Sequence, residues 1–216
     1  MIAPDLPELG PREIEPEGDL DLSGGLVERA GADPIRPERI RVRESELRGV
    51  DIASERAMVF ELVDVILNDC ALANVDARRG FLRRVEIKRS RLVGFGLSEG
   101  ELSDVLIQDC SLELAVLAGA TLSSVRFEGV NLTDASFMDA RLERVEFVDC
   151  RLEGADFRGA KVKTAAIRGA SLEGVLGVES LRGVRMPWSD VMASSGALAA
   201  ALGITVEASP GPERPG

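Results

Sequence analysis

The sequence contains no histidine and no tyrosine, one tryptophan, and aromatic residues at only 4% of its 216 positions. Without histidine it lacks the commonest general base and the commonest metal ligand, which excludes Ser-His and Cys-His catalysis and argues against a zinc centre. Three cysteines cannot all pair with one another. No run of about 18 apolar residues is present, so no membrane-spanning helix is expected. The N-terminal stretch MIAPDLPELGPREIEPEGDLDLSGG has neither a basic start nor an apolar run, so no secretory signal is expected and the chain is read as cytoplasmic. Basic residues are the minority charge. With 26 Lys+Arg against 37 Asp+Glu, the net charge is −11, which argues against a general nucleic-acid binder that must neutralise phosphates. What is present in ordinary amount is apolar residues, at 45%, enough to build a packed core.

Those apolar residues recur every five positions. From Val42 to Leu172, each residue whose number ends in 2 or 7 is apolar: Val42, Leu47, Ile52, Ala57, Leu62 and onward to Phe157, Val162, Ile167 and Leu172. Chance would produce such a run about once in 10⁹ trials at this composition. Positions ending in 0 or 5 are mostly small or β-branched, as at Val65, Cys70, Val85, Cys110, Ala135 and Ala155. The other three positions of each five carry nearly all the charge. A period of five fits neither an α-helix nor a single strand. A second period, four times as long, lies on top of it: valine recurs at Val65, Val85, Val105, Val125 and Val145, and V-x-[LIF]-x-D-C returns at 65–70, 105–110 and 145–150. A four-sided coil that closes once per long period is therefore expected, with Phe127 stacked on Phe147 and Phe137 on Phe157.

Strings such as Ala155-Asp156-Phe157-Arg158-Gly159, Val130-Asn131-Leu132-Thr133-Asp134 and Ala170-Ser171-Leu172-Glu173-Gly174 resemble the A(D/N)LXX motif of the pentapeptide-repeat family. The resemblance covers about two-thirds of the chain and implies an all-β, right-handed quadrilateral β-helix of about 27 repeats in nearly seven coils. Stacked strands lie about 4.8 Å apart, giving a rod roughly 32 Å tall. A narrow coil has room for one medium and one small side chain per side, which accounts for the scarcity of large rings. Cys70, Cys110 and Cys150 fall in one column, two coils or about 9.6 Å apart. That exceeds the Cα separation of about 7 Å a disulfide can bridge, so they are read as small core fillers.

Outside the coils, residues 1–39 carry ten acids, four bases and six prolines, and are read as a partly disordered acidic arm with some of 35–40 covering the first coil. The β-helix is placed at 40–184. Residues 185–207 are expected to form a capping helix, N-capped by Ser189 or Asp190 and ended by Gly203. Residues 208–216 are expected to be disordered. Trp188, Val191, Leu198 and Leu202 are the candidate apolar contacts of that cap, or of a homodimer through the C-terminal end.

No catalytic or metal-binding constellation and no cofactor motif is found, so an enzyme is not expected. The candidate partner-binding acidic surface is Asp51, Asp69, Asp109, Glu113, Asp134, Asp149, Glu153 and Glu173. A basic belt, Arg78, Arg79, Arg83, Arg84, Lys88, Arg89 and Arg91, separates two acidic zones. Summed over its whole length, no face is strongly acidic, and the arm carries −6 of the net charge. The family resemblance implies a DNA-like rod that occupies the DNA saddle of a type II topoisomerase, DNA gyrase or topoisomerase IV, and protects it from quinolones or natural gyrase poisons. The chain is similar to the loop-free, mycobacterial fluoroquinolone-resistance type, including the strings Glu55-Arg56-Ala57-Met58 and Leu114-Ala115-Val116-Leu117. The alternative is a general protein-interaction scaffold, with outward Ile66, Leu106, Leu114 and Val116 as contacts. Neither reading involves direct nucleic-acid or membrane binding.

Overall fold

The computed structural model describes residues 1–14, 18–28, 34–54 and 56–207. Ten strands, all paired in parallel, follow one another up a single right-handed coil: β1 (Gly10–Pro11), β2 (Leu20–Ser23), β3 (Gly25–Glu28), β4 (Arg39–Arg48), β5 (Val59–Asn68), β6 (Phe81–Lys88), β7 (Glu101–Gln108), β8 (Thr121–Glu128), β9 (Arg141–Val148) and β10 (Lys161–Arg168). From β4 to β9 every ladder partner lies one long period away, as in Ile40↔Phe60, Val65↔Val85 and Phe127↔Phe147. The long period of the sequence is therefore the physical coil. Each strand bends midway and covers two adjacent walls. The other two walls are β-turns joined by single bridges such as Ala71↔Arg91 and Ser136↔Asp156.

Every position ending in 2 or 7 from Val42 to Leu172 is buried except Val162, which is half-buried at the end of the stack. The two phenylalanine columns stack as their spacing predicts. Phe127 and Phe147 are 5.1 Å apart and 4° from parallel, Phe137 and Phe157 are 4.8 Å and 2°, and the two columns meet edge to face. Such offset and T-shaped pairs add about 0.5–1.5 kcal/mol each beyond area burial.

A second regularity concerns the backbone. Every residue whose number ends in 4 or 9 from Asp64 to Gly159 has positive φ. These are the turns that keep each side to five residues, and Gly, Asp and Asn enter that region most easily. Asp64, Asp69, Asn74, Gly94, Asp104, Asp109, Gly119, Gly129, Asp134, Asp139, Asp149, Gly154 and Gly159 occupy such sites. Much of the acidity on the walls is thus selected by backbone conformation.

The N-terminal boundary differs from expectation. β2 and β3 pair with β4 at the coil spacing, Leu20↔Ile40 and Val27↔Leu47 among the partners, and Leu20, Leu22 and Val27 are buried. Pairing at the coil spacing therefore starts at residue 20, not 40, because Leu20, Leu22, Gly25 and Val27 keep the inward phase, and β1 adds to β3 at Gly10↔Gly25. Gly25 N–H donates to Ser45 Oγ, at 3.3 Å, closing that first coil. Ile35 is buried against the coil above through its bridge to Ile52. Residues 1–9 lie along the outside of the rod. The tail expected to be disordered, 208–216, lies outside the described residues, as does Glu55.

At the other end a 3-10 turn at Val178–Leu181 leads to α1 (Trp188–Ala193) and α2 (Ser195–Ala201). They close the stack by taking two of the backbone N–H groups of its last coil. Gly169 N–H donates to Asp190 Oδ2 at 2.7 Å, and Leu172 N–H donates to the buried Ser194 Oγ at 3.0 Å. Asp190 is therefore spent on the coil, and α1 follows Pro187 without a side-chain cap. Gly203, with φ 74°, ends α2 as expected.

Candidate functional site

The coil geometry brings the eight candidate acids onto one wall. Asp69, Asp109 and Asp149 share a corner column, Asp51 starts the adjoining side, Glu113, Glu153 and Glu173 form the next column, and Asp134 sits beside it. All are half-buried or exposed. Asp69 is tied to Arg89 across one coil at 2.9 Å, which holds its carboxyl below the usual carboxylate range. Asn131 donates to Glu113, and Glu173 Oε1 accepts the Ala197 N–H at 3.0 Å. Asp109, Asp134, Asp149 and Glu153 make no ion pair among the described residues.

The walls differ in charge over the upper half of the rod. Over 109–120, 129–140, 149–160 and 169–180, the turn walls carry nine acids and two bases, a net −7. Over 121–128, 141–148, 161–168 and 181–185, the strand walls carry three acids and eight bases, a net +5. The upper half of the rod is therefore acidic on one pair of walls and basic on the other.

The basic belt is mostly neutralised in place. Arg84 clamps the buried carboxylate of Asp64 with Nε and Nη2, and that bond keeps the Asp64 carboxyl low. Arg78 and Arg79 both reach Glu99, Lys88 reaches Glu86, and Arg89 reaches Asp69. Arg83 and Arg91 have no ion-pair partner among the described residues. The same step of one coil joins Arg48 to Glu28, Arg126 to Glu146 and Lys163 to Glu143. This coil-to-coil pairing could have been read from the sequence once the period was known.

The three thiols are buried and unpaired. Burial pushes Cys70 and Cys110 up to about 11, and raises Cys150 as well. They do more than fill space, because this column also satisfies the corner backbone. Ser90 N–H donates to Cys110 Sγ at 3.3 Å, and Cys70 N–H donates to Ser90 Oγ at 3.0 Å. Among the described residues no group of His, Cys, Asp or Glu is arranged to hold a metal ion, and no helix is long and apolar enough to cross a membrane.

The four candidate cap residues divide. Val191, Leu198 and Leu202 line a recess of about 390 Å³ with Leu172, Leu181 and Met186. Leu202, although it lines this recess, is 75% exposed, as is Trp188, and Met192 and Ile204 are exposed as well.

The pentapeptide-repeat family model matches residues 101–134 and 135–174, with eight copies. No curated protein sequence matches the chain. Among solved structures, trypsin-treated QnrB1, a plasmid-mediated fluoroquinolone resistance protein, is similar at 19% identity with a TM-score of 0.44, over 88% of this chain and 99% of its own. HetL, a pentapeptide repeat protein involved in heterocyst differentiation regulation from the cyanobacterium Nostoc sp. strain PCC 7120, is similar at 19% identity with a TM-score of 0.48, over 79% of this chain and 87% of its own. The eight matched copies at 101–174 lie on the five-residue period that runs from Val42 to Leu172, so this stretch of the chain is built of pentapeptide repeats.

Proposed function

We propose that the chain is a non-enzymatic binding rod whose acidic turn walls dock on a cationic surface of a protein partner. The observation that carries this reading is the collection of eight acids on one wall, with a net −7 on the upper turn walls facing away from the +5 of the strand walls. A surface built to hold DNA presents Lys and Arg to phosphates, and fixed carboxylates on a stiff rod satisfy the same cations. The family resemblance supplies the partner class: a type II topoisomerase, DNA gyrase or topoisomerase IV, whose saddle the wall enters in place of a duplex, excluding quinolones or natural poisons. The exposed Trp188, Met192, Leu202 and Ile204 at the C-terminal end suit pairing with a second copy, which would present two rods end to end. Light scattering on Trp188→Asp against the unchanged chain tests that pairing, and a monomer in both contradicts it.

For the main reading, the purified protein is titrated into supercoiling assays of gyrase from its own host, with and without a quinolone. Inhibition at micromolar protein, weakening as salt is raised, together with fewer drug-stabilised cleavage complexes, is the expected result. No effect on supercoiling or on cleavage removes the topoisomerase and leaves a general interaction scaffold.

A further inference from the structure

Residues 1–9 climb the outside of the rod from β1 as a strap. Asp5 N–H donates to Asp64 Oδ1 at 3.0 Å, and Ile2 N–H donates to Asp104 Oδ1 at 2.9 Å. Asp64 and Asp104 belong to one column, at the bend where each strand passes from one wall to the next, and they stand two coils apart. Two coils span about 9.6 Å. Three residues of polyproline II span about 9.3 Å and return every third N–H to the same side. A β-strand would instead turn the N–H groups of residues 2 and 5 to opposite sides. Pro4, Pro7 and Pro11 hold φ near the polyproline value through this segment. The spacing of the two carboxylates therefore matches the pitch of the chain lying on them.

The two acceptors are differently built. Asp64 is buried and oriented by Arg84. Among the described residues, every hydrogen bond to the Asp104 carboxylate comes from the strap. Met1, at the end of the strap, borders a recess of about 360 Å³ walled by Ser124, Arg126, Arg144, Glu146, Thr164 and Arg185. These features lie on the strand walls, away from the acidic turn walls, so they stand apart from the topoisomerase reading.

We propose that the Asp64–Asp104 column is a binding site for an extended proline-rich peptide, occupied in this chain by its own residues 1–7, and that a proline-rich segment of a partner protein binds there by displacing the strap. Recognition rests on N–H groups at every third residue, donated to two carboxylates of one column, Asp64 held by Arg84 and Asp104 open to the peptide, with Arg185 of the recess making no ion pair among the described residues. The strap itself carries Asp5 and Glu8 beside its prolines.

The test uses the full chain with spin labels at Ala3→Cys and Thr121→Cys, the native thiols being buried and protonated. A single short distance is expected. A synthetic peptide of residues 1–9 should convert it to a longer, broad distribution at millimolar concentration, because a tethered segment competes at an effective concentration of that order. The same peptide with alanine at both proline positions should need more than tenfold higher concentration, and Asp104→Ala should release the strap without any peptide. A long, broad distance in the unchanged chain overturns the proposal, as does a short distance that stays fixed up to about 10 mM peptide. Equal potency of the two peptides overturns the polyproline basis.

Discussion

Leu114 is the one large aliphatic residue at a positive-φ corner of the described coils. Its φ is 59° and it is 57% exposed, whereas its column neighbours one coil away are Gly94 and Asp134. A bulky side chain in this region costs about 1–2 kcal/mol, and asparagine relieves most of that. Losing the part of the leucine that is covered offsets about 0.5 kcal/mol. Leu114→Asn should therefore stabilise the rod by about 1 kcal/mol, or about 2–4 °C in Tm for a chain of this size. Leu114→Ala keeps the strain and loses the apolar contact, so it should melt below wild type. Leu114→Gly relieves the strain but adds up to about 1 kcal/mol of unfolded-state entropy, and should lie near wild type. Val116, two residues on and without positive φ, is the control, and Val116→Asn should give no gain. Thermal melts followed by circular dichroism at 218 nm, a wavelength chosen for its strand signal, read the order directly. An asparagine variant that melts at or below the alanine variant would refute the claim that corner conformation selects these residues.

Other consequences can be measured as readily. Arg84→Ala strands the buried Asp64 carboxylate with the strap N–H alone, and should cost about 2–3 kcal/mol in urea denaturation at pH 7. Because Arg84 lowers the Asp64 carboxyl, its contribution is present above the ordinary carboxylate range and is lost as pH falls through the lowered value. The wild-type chain should therefore lose more stability than the variant between neutral pH and pH 3, and equal losses would contradict this. Ellman's reagent should find no reactive thiol in the native protein at pH 8 and three after denaturation, since Cys70 and Cys110 titrate near 11. Phe147→Ala removes the ring that touches Phe127, Phe137 and Phe157, and should cost about 3–5 kcal/mol, seen as a lowered urea midpoint.

The coil was legible because it repeats. Two inward positions per five gave the sides, valines returning once per coil gave the number of sides, and Phe127 and Phe137 found their partners by arithmetic. The lower boundary was obscured because residues 29–38 separate Val27 from the unbroken run, and because charge and proline in 1–19 outweighed four in-phase residues at 20–27. The positive-φ corners explain why acids alternate with glycines along a column. Gly154 lies over Asp134, and a Cβ there would overlap the Asp134 carboxylate. The wall polarity was hidden in charge totals taken along the whole length of each face, which average the basic belt of the lower coils with the upper ones. The strap was not legible at all, since its contacts with Asp64 and Asp104 join positions far apart in the chain and follow no period.

In the proposed function the acidic turn walls carry the binding. Asp109→Asn, Asp134→Asn and Asp149→Asn together with Glu113→Gln and Glu153→Gln remove five charges from those walls, and asparagine keeps the corner conformation. The comparison is Arg141→Gln, Lys161→Gln and Arg185→Gln on the strand walls. Affinity for immobilised host gyrase, measured by surface plasmon resonance at 50 and 200 mM salt, should fall more than tenfold for the first set and flatten its salt dependence. The second set should leave affinity within about twofold, as expected for charges outside the contact. Unchanged binding by the first set, with loss confined to the second, would contradict the account.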